Sequence, residues 1–151
     1  MGYYQALEAA GAKILGYNTT GNYQGTWGAV VIYDGKLGLV TGAYGSCSVC
    51  DSFESEFGYK SDCEVYYNAE NDKYYSNSYD FSEDNEITKE SYDFQNKQYQ
   101  LRLAGFGKRY LDQIWDKFDI DNRLKNFNPD EWYDEEEKEI LEWSLSFFDV
   151  N

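Results

Sequence analysis

The amino-acid sequence predicts an α+β fold in which an antiparallel sheet packs against C-terminal helices. Two β-rich runs flank the dipeptide Asp34-Gly35, and apolar residues at helical spacing recur in the second half of the chain. The chain has 151 residues, of which 19% are aromatic, and this is enough bulky surface to build one core. A single acidic domain over 1–151 is therefore expected.

The first 28 residues are predicted to form a helix followed by a loop. A helix over 3–15 is indicated by four residues at helical spacing, namely Tyr4, Leu7, Ala10 and Ile14. Residues 17–28 are rich in Gly, Asn and Thr, a composition that is typical of loops.

The next segment is predicted to be a β-hairpin spanning about 28–43. Asp34-Gly35 readily takes the positive φ angles of a type I′ turn, so it is expected to join strands near 28–33 and 37–43. Apolar side chains occupy both faces of the first strand, with Val30 on one and Val31 on the other. This pattern predicts a strand that is covered on both sides.

The middle of the chain gives weaker signals. Asp51 or Ser52 is placed to cap a short helix with Glu54 in its first turn. Residues 63–68 and 73–79 are expected either to pair as a second hairpin or to be irregular.

Two further helices are predicted before the C-terminal block. Thr88 is a suitable cap for a helix over 87–104, which Gly105 and Gly107 are expected to break. Apolar spacing then predicts a separate helix over 108–118.

Charge is distributed unevenly along this chain of net charge −15. Residues 1–50 are neutral and 94–128 carry +3, whereas 51–93 carry −10 and 129–151 carry −8. Two dense anionic blocks on a chain that folds indicate a surface for a cationic partner. The alternative interpretation of the acidic blocks is an ordinary solvated surface on an acidic protein. The bases of 94–128 are expected to neutralise acids inside the fold.

The second anionic block is predicted to be one long helix over 130–148, opened by Pro129. At 100° per residue, one side gathers the residues expected to face the core, which are Tyr133, Ile140, Leu141, Ser144 and Phe148. Along the opposite side run Glu131, Glu135, Lys138 and Glu142, and Asp134 and Glu139 flank that row. The acids among these six are the candidate partner-binding residues, namely Glu131, Asp134, Glu135, Glu139 and Glu142. Trp132 and Trp143 are expected to brace the helix at the core boundary.

This acidic helix has the charge pattern of a phosphate mimic. Carboxylates one turn apart repel each other by a few tenths of a kcal/mol per pair, a cost that a merely solubilising surface avoids by interspersing Lys. Acids at half the positions of a rigid helix approach the linear charge density of DNA. A basic groove that binds nucleic acid is therefore the expected partner.

The first anionic block contains four acids within seven residues, and they are the second set of candidate partner-binding residues: Asp80, Glu83, Asp84 and Glu86. One interpretation is a flexible charged loop over 80–86, and the other is a second row of phosphate surrogates. A flexible loop is a poor mimic because ordering it costs about 1–2 kcal/mol per residue.

The three cysteines leave three interpretations open. In the first interpretation, Cys47, Cys50 and Cys63 are small buried residues without chemistry. In the second they are zinc ligands, and in the third Cys47 and Cys50 form a thiol redox pair. A zinc site needs a fourth ligand, and the nearby acids are Asp51, Asp62 and Glu64. The odd count and the absence of a secretory signal favour reduced thiols in a cytoplasm.

Several function classes are disfavoured by what the chain contains. It has no His, so the commonest general base and neutral metal ligand are missing. No catalytic motif is recognisable, which predicts a non-enzymatic protein without a cofactor, although Glu54 and Asp84 remain a weak hydrolase alternative. The net charge opposes direct contact with nucleic acid or with anionic membranes. Four tyrosines are read as a sheet surface rather than base-stacking groups: Tyr66, Tyr67, Tyr74 and Tyr75.

Two resemblances add to this interpretation. The segments YGSCSVCD (44–51) and FGKRYL (106–111) resemble patches in small uncharacterised proteins of phages and bacteria, and this likeness implies no activity. In size, acidity and aromatic content the chain resembles DNA-mimic anti-restriction and anti-CRISPR proteins, which share composition rather than motifs. That resemblance implies a phage-encoded inhibitor that acts in the host bacterial cytoplasm.

The sequence thus predicts a non-enzymatic inhibitor that blocks the nucleic-acid-binding surface of a bacterial defence complex, either CRISPR-Cas or a restriction nuclease. The alternative is a zinc- or thiol-dependent binding module that uses Cys47, Cys50 and Cys63.

Overall fold

A computed structural model describes residues 2–45, 51–58, 64–127 and 133–149, with the backbone alone at 133 and 134. These ranges form an α+β fold with five α-helices and two three-stranded antiparallel sheets. The helices are α1 (Tyr3–Ala9), α2 (Ser52–Phe57), α3 (Lys89–Leu111), α4 (Lys117–Lys125) and α5 (Tyr133–Leu145). The strands are β1 (Lys13–Thr19), β2 (Gly25–Tyr33), β3 (Lys36–Tyr44), β4 (Tyr66–Asn68), β5 (Lys73–Tyr75) and β6 (Glu86–Ile87).

The central sheet has the order β1-β2-β3, and its hairpin confirms the prediction. Tyr33 pairs with Lys36 across a two-residue turn. Asp34 and Gly35 have φ angles of 51° and 74°, the positive values that a type I′ turn requires. This turn fixes the register of β2 against β3 over nine residue pairs.

Both faces of the central sheet are covered, as the apolar pattern of β2 predicted. One face, here called the aromatic face, packs against α1, α2 and α3 through a cluster that includes Tyr3, Trp27, Val31, Phe53, Phe57 and Phe106. The other, here called the aliphatic face, packs against α4 and α5 through Val30, Leu39, Ile120, Ile140 and Leu141. The sheet is therefore the middle of three layers.

The predicted helix over 3–15 is wrong in its second half. The helix α1 ends at Ala9, and Gly11, with a φ of +97°, turns the chain into β1. Residues 13–19 then pair antiparallel with β2, from Lys13 opposite Ile32 to Thr19 opposite Trp27. A strand forms here because pairing with β2 satisfies its backbone groups, and this tertiary contact overrides the local helical spacing.

The predicted loop over 17–28 is also largely wrong, since β1 runs to Thr19 and β2 begins at Gly25. The glycines that suggest a loop have a packing role instead. A Cβ atom at Gly28 would overlap the Cγ2 methyl of Ile140, and one at Gly16 would overlap the ring of Phe147. The sheet lacks side chains at these two positions because the C-terminal segment lies directly against its backbone.

The middle of the chain confirms the predicted helix cap and the second hairpin. Asp51 caps α2 and accepts hydrogen bonds from the backbone N–H groups of Phe53 and Glu54. Strands β4 and β5 pair antiparallel, and β6 extends them into a second sheet of order β4-β5-β6. The predicted loop over 80–86 is wrong in part, because Glu83–Asn85 form a 3-10 helix and Glu86 belongs to β6.

The long helix α3 begins at the predicted cap and continues past the predicted break. Thr88 accepts a hydrogen bond from the Ser91 N–H. Gly105 and Gly107 lie inside the helix, which ends at Leu111. Gly107 faces the Ala6 carbonyl, where a Cβ atom would overlap the backbone of α1. This glycine permits the close crossing of two helices and does not end α3.

The predicted helix over 108–118 is wrong. Its first turn is the end of α3, and Trp115 then exchanges two backbone hydrogen bonds with Leu39 of β3, each of 2.8 Å. A new helix, α4, starts after Asp116, whose side chain and that of Asp119 form a reciprocal capping box. Phe118, in the first turn of α4, is 75% exposed.

The final helix α5 is shorter than predicted, and its start at Pro129 lies outside the described residues. Three residues predicted to face the core, Ile140, Leu141 and Ser144, are fully buried, and Phe148 is half-buried. Of the helices in the described ranges, none combines the length and the apolar character needed to cross a membrane.

Candidate functional site

The acidic helix α5 is seated on the aliphatic face of the central sheet. Ile140 and Leu141 are completely buried there, and Ile140 fills the space that Gly28 leaves open. The Ser144 hydroxyl donates to the Leu141 carbonyl at 2.7 Å, so this buried polar group is satisfied within the helix. The seat fixes the rotation of α5 about its axis, and with it the direction in which its acids point.

A side-chain clamp ties the outer part of α5 to α4. Arg123 donates from Nε and Nη2 to the two carboxylate oxygens of Glu137, at 3.1 and 2.8 Å. The same guanidinium lies 4.6 Å from the centre of the Phe127 ring. This bidentate geometry makes Glu137 a structural acid that helps to position the helix.

The outward row of α5 consists of Glu135, Glu139 and Glu142, and all three side chains are exposed. Glu142 lies 3.8 Å from Lys138, in a contact where both side chains are more than half exposed and which contributes little. Within the described ranges, Glu135 and Glu139 form no ion pair. Among the residues that the structure describes, only the weak contact with Lys138 offsets the negative charge of this row.

Two of the predicted partner-binding residues of this block cannot be placed in the row. Glu131 lies outside the described residues, as does Trp132, and only the backbone of Asp134 is described. Trp143 is half-buried, and its ring lies 5.2 Å from that of Phe147, over the Gly16 position of β1. It braces the helix against the sheet, as predicted.

The second predicted acid set lies in an ordered turn. The buried Asn77 accepts hydrogen bonds from the N–H groups of Tyr79 and Asp80, and Asp80 accepts one from Ser82 at 3.0 Å. Hydrogen bonds from the Ser82 backbone and hydroxyl lower the pKa of Asp80, which keeps this carboxylate ionised. The turn therefore holds its acids in place before any partner arrives.

The remaining acids of this set differ in how far the fold engages them. Glu83 and Asp84 are exposed on the 3-10 helix. Glu86 lies 3.5 Å from Lys73 on the neighbouring strand. Neither Glu83 nor Asp84 forms an ion pair within the part of the chain that the structure describes.

The two acid sets belong to different layers of the molecule. The helix α5 covers the aliphatic face, whereas the second sheet contacts α3 in the layer on the aromatic face, where the rings of Tyr74 and Tyr92 lie 4.8 Å apart. The acids therefore form two separate surfaces, here called the α5 surface (Glu135, Glu139, Glu142) and the turn surface (Asp80, Glu83, Asp84, Glu86).

The tyrosines of the second sheet have the structural role that the sequence favoured. Tyr66 pairs with Tyr75 and Tyr67 with Tyr74 across the β4-β5 ladder. Phe81 lies against Tyr66 and Tyr75, with ring centroids 5.2 and 5.0 Å away. These rings give a small sheet its own apolar cover.

The bases of 94–128 mostly engage the fold's own acids, as predicted. Arg109 donates to both carboxylate oxygens of Glu56 at 2.6 Å, and Lys117 contacts Asp149 at 3.1 Å. Both of these contacts tie helices to neighbouring segments rather than forming a cationic binding surface.

Asp51, a candidate fourth zinc ligand, has a structural role. It is 1% exposed, and it accepts hydrogen bonds from the Tyr3 hydroxyl at 2.7 Å and from the Gly45 N–H at 3.1 Å, in addition to capping α2. Burial and the bond to Asp51 raise the pKa of Tyr3. Both carboxylate oxygens of Asp51 are therefore occupied.

The other interpretations rest on residues of which less is described. Cys47, Cys50, Cys63 and Asp62 lie outside the described ranges, and within those ranges no cluster of metal-binding side chains occurs. Glu54 lies in the first turn of α2, and Asp84 lies in the 3-10 helix before β6.

Sequence reasoning grouped Arg123 with the bases that neutralise acids inside the fold without identifying Glu137 as its partner, and it missed the packing role of Gly28. These two residues position the α5 surface. No local signal marks them, because the partner of each lies at least fourteen residues away in the chain. Comparison of the chain with protein-family models, with curated proteins and with solved structures gives no match.

Proposed function

We propose that this chain is a non-enzymatic acidic protein that presents α5 to the cationic nucleic-acid-binding surface of a partner protein, as a DNA mimic does. The observation that carries the proposal is the outward row of Glu135, Glu139 and Glu142 on a helix that the sheet holds in a fixed rotation. Because the row is ordered before binding, its partner does not have to order it. The fixed array therefore favours binding.

The spacing of the row defines what it imitates. Glu135 and Glu142 are seven residues apart, which is about 10 Å along a helix axis. Its three charges are thus about 5 Å apart along the axis, compared with about 3.4 Å per phosphate along one strand of DNA. The row resembles a short stretch of a single strand more closely than a duplex.

The proposed partner is a bacterial defence complex, such as CRISPR-Cas or a restriction nuclease. Complexes of this kind hold nucleic acid in a positively charged channel, which is the surface that a carboxylate row complements. The turn surface supplies a second anionic contact, on a different layer, for a partner that wraps around the molecule.

The test is the triple variant Glu135→Gln, Glu139→Gln and Glu142→Gln, immobilised beside the natural protein and exposed to a bacterial lysate. The natural protein is expected to retain a nucleic-acid-binding protein that added DNA, single-stranded or duplex, elutes. The triple variant should bind that protein about 10 to 100 times more weakly, because each exposed contact is worth up to about 1 kcal/mol. Binding should also weaken as salt is raised.

The matched control removes three exposed charges that lie outside both the α5 surface and the turn surface, by Glu8→Gln, Asp34→Asn and Glu70→Gln. It has the same net charge as the first variant, so it separates the position of the acids from their number. Equal binding by the natural protein and the α5 variant would contradict the proposal. Equal losses in both variants would show that net charge, and not the row, determines binding.

A further inference from the structure

The outward side of α3 carries an apolar stripe in the least acidic part of the chain. Phe94 and Leu101, seven residues apart, lie on the same side of the helix and are 66% and 57% exposed. One turn beyond Leu101, Gly105 is exposed, and a Cβ atom there would meet no atom within 4 Å. The opposite side of the helix is buried in the aromatic face through Tyr99, Leu103 and Phe106.

The stripe ends in opposite charges. At 100° per residue, Glu90 and Lys108 lie on the same flank of the stripe, one at each end of α3. Between residues 94 and 111 the helix contains four bases and no acid, in a chain of net charge −15. These bases attract the acids of a second copy, whereas the α5 surface and the turn surface repel them.

We propose that two copies of this chain form a two-fold symmetric dimer through α3, with the two helices antiparallel. When the symmetry axis passes between residues 99 and 100, Phe94 of each copy faces Gly105 of the other. Leu101 then lies about 2 Å along the helix from the axis, beside its own symmetry copy. The large side chain thus enters the open position, which is the knob-into-hole arrangement of packed helices.

The same symmetry pairs the charges. The two-fold rotation places the equivalent flanks of the two stripes on the same side of the dimer. Glu90 of one copy therefore meets Lys108 of the other, and the symmetry produces this contact twice. Lys108 already contacts Asp112 within its own chain at 3.1 Å, but that pair is exposed and the ammonium group has three donors. The stripe is therefore complementary to itself in one orientation and not in the parallel one.

The buried area of a single helix pair places this dimer among the small interfaces, so a dissociation constant on the order of 10 µM is expected. Sedimentation equilibrium of the full chain measures it. Phe94→Glu and Leu101→Glu should each weaken the dimer by about a hundredfold or more, since each removes an apolar anchor twice and adds two acids. Phe118→Glu is the matched control, because it adds the same charge at an exposed Phe of α4 and should leave the constant within about twofold.

A charge-swap experiment tests the orientation. Glu90→Lys alone and Lys108→Glu alone should each weaken self-association by about tenfold, because two contacts become repulsive in each homodimer. Mixing the two variants should restore a dimer of natural affinity, since both contacts in the mixed pair join opposite charges. Circular dichroism checks that every variant stays folded.

Three results would overturn the proposal. If the natural protein remains monomeric up to concentrations on the order of 1 mM, the dimer does not exist and the stripe is a surface for a different protein. A dimer that Phe94→Glu and Leu101→Glu leave intact would place the interface elsewhere. Failure of the mixed variants to associate more tightly than either alone would exclude the antiparallel arrangement.

Discussion

The two faces of the central sheet are built from different chemistry. The aromatic face stacks rings around Trp27 and Tyr3, whose centroids lie 4.6 Å apart, and it encloses the carboxylate of Asp51. The aliphatic face is a cluster of branched side chains, and its buried members within the described residues include no ionisable group. The buried core of the first face depends on hydrogen bonds and protonation as well as on packing, whereas the buried core of the second depends on the packing of apolar side chains.

This difference bears on the α5 surface, which the aliphatic face supports. Among the described residues, the buried cluster under α5 contains no titratable group, and the ionic contribution to the position of the helix comes from the Arg123–Glu137 pair at its outer part. The comparison predicts that the two faces respond separately to mutation and to pH.

The largest expected effect on the free energy of unfolding comes from removing the buried contact between α5 and the aliphatic face. Ile140→Ala removes a completely buried side chain that fills the Gly28 position, so the free energy of unfolding should fall by about 2–5 kcal/mol. Urea denaturation measures the loss, and hydrogen exchange should show it concentrated in α5. Loss of protection spread equally over α1 and α3 would mean that the two faces unfold as one unit.

A smaller effect is expected on the aromatic face, from two glycines of α3. Gly107→Ala should lower the free energy of unfolding by about 1–3 kcal/mol, because the added methyl group meets the backbone of Ala6, which cannot rotate away. Gly105→Ala, two residues earlier in open solvent, should raise it by about 0.5–1 kcal/mol through helix propensity. Thermal melts of the two variants should therefore shift in opposite directions, and shifts of the same sign would contradict the close crossing of α1 and α3.

The smallest expected effect is the fall in the free energy of unfolding for each unit by which the pH rises above 10, and it arises on the aromatic face. Burial raises the pKa of Tyr17 to about 12 and also raises that of Tyr3, from an ordinary value of 10.0. Above pH 10 the unfolded chain therefore loses phenolic protons that the folded chain keeps. The free energy of unfolding should fall as pH rises from 10 towards 12, by up to about 1.4 kcal/mol per pH unit for each such tyrosine.

Tyr3→Phe isolates this response. The variant is less stable at neutral pH because Asp51 loses a hydrogen-bond donor, but its stability should depend less steeply on pH above 10. Urea denaturation at several pH values, from about 1 unit below to about 1.5 units above the ordinary tyrosine pKa, measures the slope. An unchanged slope would show that Tyr3 ionises in the folded protein as readily as in the unfolded chain.

Local signals in the sequence were sufficient wherever the deciding interaction is local. The Asp34-Gly35 turn, the Thr88 cap and the Asp51 cap each depend on residues within three positions, and all three are confirmed. The exposed side of α5 follows from helical periodicity and is confirmed at Glu135, Glu139 and Glu142. The α+β class follows from the same local patterns.

The wrong predictions share one physical cause, which is a partner distant in sequence. From sequence alone, Gly28 and Gly107 suggest breaks in secondary structure. In the structure they make room for Ile140 and for the Ala6 carbonyl, and neither partner is nearby in the chain. Trp115 fits a helical spacing, yet its backbone pairs with Leu39, seventy-six positions earlier. The separation of the acids into two surfaces likewise depends on which face of the sheet each layer covers.

The Trp115 bridge also has a consequence for the outer margins of the central sheet. At the β3 margin, the two hydrogen bonds to Leu39 occupy backbone groups that an additional strand would need. At the β1 margin, the register shifts between Ile14 and Gly16, and Lys13 places a charge on the rim. Irregular and charged margins resist lateral strand addition, so growth of this sheet into a larger one is blocked, and aggregation of the folded chain by edge pairing is suppressed.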